Sequence, residues 1–312
     1  MSGCASDPAG PAQSPRLRSR LPDQPPAVPA PQSPAVKKEA GSPAAAPRAA
    51  RRRAPAPGKA PAGAPGIRSG LDLSRLPIRV NGIDGSEMMR VPAGTYLVTR
   101  PQEQPRTDFG REALLVPVTL PEFYIDRHEV TVEQFKKFDP RYDPEVYTGE
   151  ALCPRCPAVA VTYREAFEYC AWTGKRLPTE TEWEAAARGN TRRPYPWGAR
   201  YEPKRANLAG EADGFAGPAS AGAFPLGAGP FGAEDLVGNV WEWVATGPPG
   251  APSAARTASE SSDSDAASVP LGLVKGGGYR SPPHIAVLST RNRVDPTLRN
   301  PTFGFRCAQS AP

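Results

Sequence analysis

Apolar positions recur at helical spacing in three short windows of this chain, and each window opens on the same local signal. Thr131-Val132-Glu133-Gln134, Thr162-Tyr163-Arg164-Glu165 and Thr179-Glu180-Thr181-Glu182 each set a threonine three residues ahead of Glu or Gln. At that spacing the hydroxyl accepts the N3 amide while the N3 side chain accepts the threonine amide, so two orphan donors of a helix start are satisfied together. Three helices are therefore predicted: a short one from Thr131 through Phe138, ended by Pro140; one running to Trp172, with Gly174 as its stop; and one ending before Gly189. On the second, Phe167, Cys170 and Ala171 share a face at helical spacing. Aromatic and β-branched runs predict strands at residues 91–98 and 123–130, and a final strand at 303–308. After Arg188, Gly, Pro and Asn become dense and periodicity disappears, interrupted only at 237–244 and 274–279. The pattern is that of an α+β domain with few helices and much irregular backbone. Irregular backbone must still satisfy its N–H and C=O groups, so buried water, disulfides and metal ions are expected as structural elements.

The first stretch of chain is of another kind. Residues 1–70 contain no Phe, Trp or Tyr and hold 15 of the 41 prolines. Such a segment cannot bury enough apolar surface to offset its ordering entropy. Residues 1–85 are read as a disordered Pro/Ala-rich basic arm, partly polyproline II, and residues 86–312 as one large domain. Residues 248–270, rich in Ser, Ala and Asp and free of aromatics, read as a disordered insertion in a surface loop. The charge follows the same division. Of the 38 Lys and Arg, 11 fall in residues 1–70, against 3 of the 32 Asp and Glu, so the remainder carries −2. The basic balance thus belongs to the arm, and no nucleic-acid-binding core is expected.

No run of 18 apolar residues is present, so no transmembrane helix is expected. The opening Met1-Ser2-Gly3-Cys4 resembles the end of a bacterial lipoprotein signal. On that reading Cys4 carries lipid, the arm is a tether holding the domain off a membrane, and the protein resides at the cell envelope, periplasmic or on the surface. The competing reading is a soluble or otherwise exported chain.

The run from Tyr169-Cys170-Ala171-Trp172 through Gly174-Lys175-Arg176-Leu177-Pro178-Thr179-Glu180 to Trp183-Glu184 resembles the most recognisable segment of the formylglycine-generating-enzyme (sulfatase-modifying-factor) family. Further segments follow in that family's order: Phe123-Tyr124-Ile125-Asp126 with Glu129-Val130-Thr131, Tyr195-Pro196-Trp197-Gly198, Gly238-Asn239-Val240-Trp241-Glu242-Trp243, Lys275-Gly276-Gly277-Gly278-Tyr279 and Gly304-Phe305-Arg306-Cys307. The resemblance implies a C-type-lectin-like fold. It also implies an activity, oxidation of a sulfatase cysteine to formylglycine at a copper ion held by two cysteines just after the Gly-Gly strand. Here Ser281 stands where the first of them is expected, and no cysteine recurs before Cys307. A hydroxyl does not replace a thiolate for Cu(I), so copper is not expected. A second branch uses three histidines for iron, whereas this chain has only His128 and His284. The degenerate site region is thus Ser281, His284 and Trp241. His284 is either a ligand or acid–base group or a surface-loop histidine, and Trp241 and Trp243 are expected chiefly in the core.

The resemblance further implies a disulfide between Cys170 and Cys307. Cys153-Pro154-Arg155-Cys156 is compatible with a redox couple, half a zinc site or a local disulfide. No second CxxC or suitable His accompanies it for zinc, no thioredoxin-like strand-to-helix context surrounds it, and the local disulfide is favoured. Two structural Ca2+ sites carry over. One is made of Asn207, the Leu208 carbonyl, Asp213 and the Phe215 carbonyl. The other is made of Asp235, the Gly238 and Val240 carbonyls, and Glu242. The alternative is that Asp213 and Asp235 are ordinary turn residues. Arg291 and Arg306 are read as buried arginines pairing acidic groups. The expected function is a non-catalytic domain binding a protein, peptide or glycan, or an accessory subunit docking on an enzyme. The rival is an oxidase of a protein cysteine, peptide or secondary metabolite with a rewired site at residues 281–284 or at Cys153 and Cys156.

Overall fold

The computed structural model describes residues 78–99, 114–210, 213–245 and 271–312. The arm up to residue 77, with Cys4, and the insertion at 248–270 lie outside the described residues.

Among the described residues ten short strands form three sheets. β1 (Ile78–Val80), β2 (Glu87–Val91), β5 (Phe123–Asp126) and β10 (Ala308–Ser310) make one antiparallel sheet in that spatial order. β1 lies ahead of residue 86, so the paired structure begins within the segment assigned to the arm. β3 (Gly94–Thr99) and β4 (Leu115–Leu120) pair along their full length. The third sheet has the order β8 (Arg291–Val294), β7 (Gly272–Lys275), β6 (Trp241–Val244), β9 (Phe303–Phe305), with β6 and β9 parallel.

All three predicted helix starts are present. α1 (Val132–Phe138), α3 (Tyr163–Trp172) and α4 (Glu180–Arg188) each begin with a reciprocal capping box, on Thr131, Thr162 and Thr179. α2 (Glu145–Thr148) is a single turn that carries no periodic signal. The face of α3 differs from the expected one. Tyr163, Ala166, Tyr169 and Cys170 are buried, while Ala171 is exposed and Phe167 half-buried.

Strand boundaries differ for identifiable reasons. The strand expected at 91–98 divides into β2 and β3 at Pro92 and Ala93, where proline has no N–H for a ladder. The strand expected at 123–130 stops at Asp126, beyond which the main chain changes partners: Arg127 N donates to the Glu87 carbonyl at 2.7 Å and Val130 N to the Phe305 carbonyl at 2.9 Å. The one expected at 303–308 is β9 and β10, which belong to different sheets. Arg306 and Cys307 make the crossing, one with its guanidinium buried, the other bridged to Cys170. β7 ends at Lys275 because Gly276 and Gly277 turn away at φ 91° and 78°.

Two apolar clusters fill the domain. One gathers Trp183, Phe123, Ile125 and Leu236. The other gathers Trp243, Phe135, Tyr169 and Phe305. Trp243 is buried, with Nε1 donating to the Val161 carbonyl at 2.8 Å, as expected of a core residue, while Trp241 is half-buried against the same cluster.

The interior also holds buried ion pairs. Lys175 Nζ, 0% exposed, donates to Asp84 at 2.8 Å, to Ser86 at 2.8 Å, and to both Asp126 oxygens at 3.0 and 2.9 Å. One ammonium serves two carboxylates. Burial works against both charges. The lysine outweighs it at Asp84, whose carboxyl lies below its usual value, but not at Asp126, which burial holds above. Lys175→Met leaves both acids without a cation. It is expected to cost about 3 kcal/mol of unfolding free energy, read from urea denaturation.

Candidate functional site

The irregular stretch between α4 and β6 is organised by left-handed backbone. Asp235 and Asn239 adopt φ 57°, and Gly238 adopts φ 85°. A β-carbon at Gly238 would come within 2.5 Å of the Asn207 carbonyl oxygen, so only glycine lets these two loops meet. Asn239 joins them to the rest of the domain. Its Oδ1 accepts from Ala219 N at 2.8 Å and Asn207 Nδ2 at 3.2 Å, while its Nδ2 donates to Glu129 Oε1 at 3.1 Å.

Glu129, Asp235 and Glu242 are all buried around Arg306. Glu242 is fully engaged. Arg306 Nε and Nη2 donate to its two oxygens at 2.7 Å each, and Trp183 Nε1 adds a bond at 2.8 Å. Glu129 Oε2 and Asp235 Oδ2 instead accept no hydrogen bond among the described residues, and neither does Asn207 Oδ1. Burial, with the neighbouring Asp235 charge, raises Glu129 well above the usual carboxyl value. Burial likewise pushes Asp235 up to about 6, despite His128 and Arg306.

The residues expected to hold calcium are therefore only partly poised for it. In the second set Asp235 offers a free buried oxygen, but Glu242 offers none. The other free carboxylate oxygen is Glu129 Oε2, which sequence reasoning passed over even though the residue sits in the quoted Glu129-Val130-Thr131 segment. In the first set Asn207 offers a free buried oxygen. The Asp213 carboxylate, however, accepts from Phe215 N at 3.0 Å and Leu208 N at 3.2 Å, as an Asx turn does. Among the described residues no three His, Cys, Asp or Glu side chains converge on one metal position. A cation here would draw on the Asn207 amide and main-chain carbonyls as well, the mixed oxygen set that Ca2+ accepts.

Ser281 and Trp241 lie against the glycine turn that follows β7. The Ser281 hydroxyl accepts from Gly278 N at 3.0 Å, and Ser281 N donates to the Gly278 carbonyl at 2.7 Å. A β-carbon on Gly278 would sit 3.3 Å from Trp241 Cδ1. Ser281 is thus the lock of a tight turn. His284 is exposed in the same loop. His128 lies in another neighbourhood, with Nε2 3.3 Å from Glu234 Oε2. Arg291, on β8, pairs with Glu180 at 3.3 Å, as expected of a buried arginine.

Both disulfides form. Cys170–Cys307 ties α3 to the crossing between β9 and β10, and Cys153–Cys156 closes a small ring. That ring borders a polar cleft of about 530 Å3 whose lining includes Arg127, His128, Glu133, Arg155 and Glu234.

The family described as "Sulfatase-modifying factor enzyme 1-like domain" matches residues 77–311. The chain is 40% identical over 169 residues to "Inactive C-alpha-formylglycine-generating enzyme 2" of Bos taurus, covering 50% of each. It is 48% identical over 103 residues to the hercynine oxygenase of Mycolicibacterium thermoresistibile, covering 31% of this chain and 22% of that one. The chain thus spans half or less of the length of these two relatives. The solved structure of PvdO from Pseudomonas aeruginosa is matched with TM-score 0.58 and 29% identity, over 75% of this chain and 98% of that one. With the family's domain spanning nearly all the described residues and its C-type-lectin-like architecture reproduced, this chain belongs to the sulfatase-modifying-factor (formylglycine-generating-enzyme) family.

Proposed function

We propose that this chain is a non-catalytic member of its family. It acts as a calcium-stabilised domain at the cell envelope that binds a protein, peptide or glycan, or docks as an accessory subunit. The observation that carries this reading is at Ser281. The position that would supply a copper thiolate holds a hydroxyl, and that hydroxyl is occupied in closing the glycine turn. The relative named as inactive supports it.

Calcium would be held by Glu129 and Asp235 with the Gly238 and Val240 carbonyls, and by Asn207 with the Leu208 and Phe215 carbonyls and Asp213. The bound cation supplies positive charge to buried oxygens that no donor reaches. These protein groups bring together loops that share no ladder, so calcium contributes stability rather than chemistry. Removing it with a chelator is expected to lower apparent stability by about 2.7 kcal/mol relative to calcium at one hundred times Kd. Glu129→Gln and Asp235→Asn are each expected to shrink that difference, measured as the calcium-dependent shift in Tm.

The deciding experiment measures Ca, Cu and Fe in the full chain produced in an oxidising compartment. The same protein then meets copper and a peptide carrying Cys-x-Pro-x-Arg, read by mass spectrometry. Bound calcium with an unchanged peptide is the expected result. An aldehyde-bearing peptide, or stoichiometric copper or iron, overturns the reading. It would establish instead a metal-dependent oxidase with a rewired site near residues 281–284, the alternative that the hercynine oxygenase relative favours.

A further inference from the structure

The Cys153–Cys156 pair is used by none of this, and its surroundings are unlike those of a structural bridge. Cys153 is an exposed residue and Cys156 a buried one, so the two ends of the bridge differ in access. The loop is held without the bridge. Cys156 N donates to the Cys153 carbonyl at 3.0 Å, and the Cys156 and Pro154 carbonyls accept Val132 N and Glu133 N at 2.9 Å each. Ala221 N donates to the Arg155 carbonyl at 2.9 Å, and the Arg155 guanidinium returns a bond to the Ala221 carbonyl at 3.3 Å. Opening the S–S bond therefore leaves four main-chain anchors in place. Arg155, between the two cysteines, also lines the polar cleft beside Arg127, His128 and Glu133.

We propose that Cys153–Cys156 is a thiol–disulfide exchange site that accepts electrons from thiols presented in the adjoining cleft. A substrate thiolate attacks Cys153 Sγ, forming a mixed disulfide, and the bond to Cys156 breaks. Cys156 leaves as a thiolate and takes up a proton. A second substrate thiolate then attacks the substrate sulfur of the mixed disulfide, and Cys153 leaves as thiolate and is protonated. Two substrate thiols become one disulfide, and the protein disulfide becomes a dithiol. Attack falls on Cys153 because exchange requires access to the sulfur attacked. Arg155 stands between the two cysteines in the chain, and a cation beside a cysteine favours its thiolate form, which gives Arg155 a part in the exchange on this proposal. The substrate class is a cysteine thiol, either in an extended polypeptide occupying the cleft or in a small thiol such as glutathione. This inference rests on residues apart from the Ser281 turn and the calcium oxygens, so it stands or fails separately from the function proposed above.

The test equilibrates the oxidised full chain with graded glutathione redox buffers, followed by alkylation and mass mapping. Labelling of Cys153 and Cys156, with Cys170 and Cys307 protected and Tm lowered by no more than about 4–8 °C, is expected. A pair that stays unlabelled until the protein unfolds, or that labels only together with Cys170 and Cys307, overturns the proposal. The second arm presents a one-cysteine peptide activated as a mixed disulfide to the Cys156→Ser and Cys153→Ser variants. An adduct on Cys153 forming about ten-fold faster than any on Cys156 is expected from the difference in access. Equal rates overturn the assigned order of attack. Arg155→Glu separates the substrate sources. Slower reaction of wild-type-like disulfide with the peptide, but not with glutathione, supports a polypeptide in the cleft. Equal slowing of both supports thiolate activation toward small thiols, and slowing of neither overturns the part given to Arg155.

Discussion

Arg306→Met is expected to abolish folding of the domain or to lower its stability by about 5 kcal/mol, a loss comparable to the whole stability of a marginal domain. A guanidinium has five N–H donors, and here every one has an acceptor. Nε and Nη2 bind Glu242 at 2.7 Å each, Nη1 binds the Asp126 and Arg127 carbonyls at 3.1 and 3.0 Å, and Nη2 also reaches the Glu234 carbonyl at 2.7 Å. The side chain is 0% exposed, so methionine fills the volume but withdraws the donors from the Asp126 and Glu234 carbonyls and leaves Glu242 with the Trp183 indole alone and no cation in a dry interior, while the Arg127 carbonyl keeps the Glu234 amide at 2.8 Å. Glu129 and Asp235 lose their nearby cation at the same time. Urea denaturation is the measurement. Adding Glu242→Gln to the methionine variant should recover part of the loss, because it removes the stranded charge.

The same variant should show a definite pH dependence in chelator. Burial already holds the Asp235 carboxyl up to about 6 in the folded protein, against 3.8 ordinarily, and losing Arg306 raises it further. Between those values the folded state binds the proton and the unfolded state does not, so stability falls as pH rises through the folded value. The methionine variant is thus expected to be more stable at pH 5 than at pH 8, and by a wider margin than the parent.

Local features of this fold could be read in the sequence because they depend on neighbours in the chain. The Thr131, Thr162 and Thr179 boxes set helix starts within three residues of themselves, and all three are present. Strand boundaries were less legible because they depend on distant partners. Residues 303–308 look like one apolar run, but β9 pairs with β6 and β10 with β5, and the change of sheet is dictated by what Arg306 and Cys307 find in space. β8, with the sequence Arg-Asn-Arg-Val, has no apolar alternation at all and exists because β7 offers it an edge. The oxygen-rich site was legible by residue type, not by assignment. Several acids lie near one arginine, and sequence cannot say which of them Arg306 claims. It claims Glu242, which leaves Glu129 free, more than a hundred residues away in the chain.

The two disulfides should prove unequal, and the difference is large. Cys170 and Cys307 are 137 residues apart, whereas Cys153 and Cys156 are three apart. In the chain-entropy model the long loop contributes about 5 kcal/mol and the short ring roughly 2 kcal/mol, because the unfolded chain loses far more freedom when distant residues are tied. Cys170→Ala with Cys307→Ala is accordingly expected to lower Tm by about 10–20 °C at 2–4 °C per kcal/mol for a domain of this size. Part of the cost is local, since Cys307 N also donates to Asp126 Oδ2 at 3.0 Å and holds the carboxylate that faces Lys175. The Cys153→Ala, Cys156→Ala protein should lose no more than about 4–8 °C by the same conversion, because its loop retains its main-chain anchors. Scanning calorimetry of both double variants in one buffer makes the comparison. Equal losses would mean that the short ring stabilises the fold as much as the long one, and would count against reversible opening of Cys153–Cys156. A large loss confined to Cys170 and Cys307 would leave the short ring free for redox chemistry that the fold can survive.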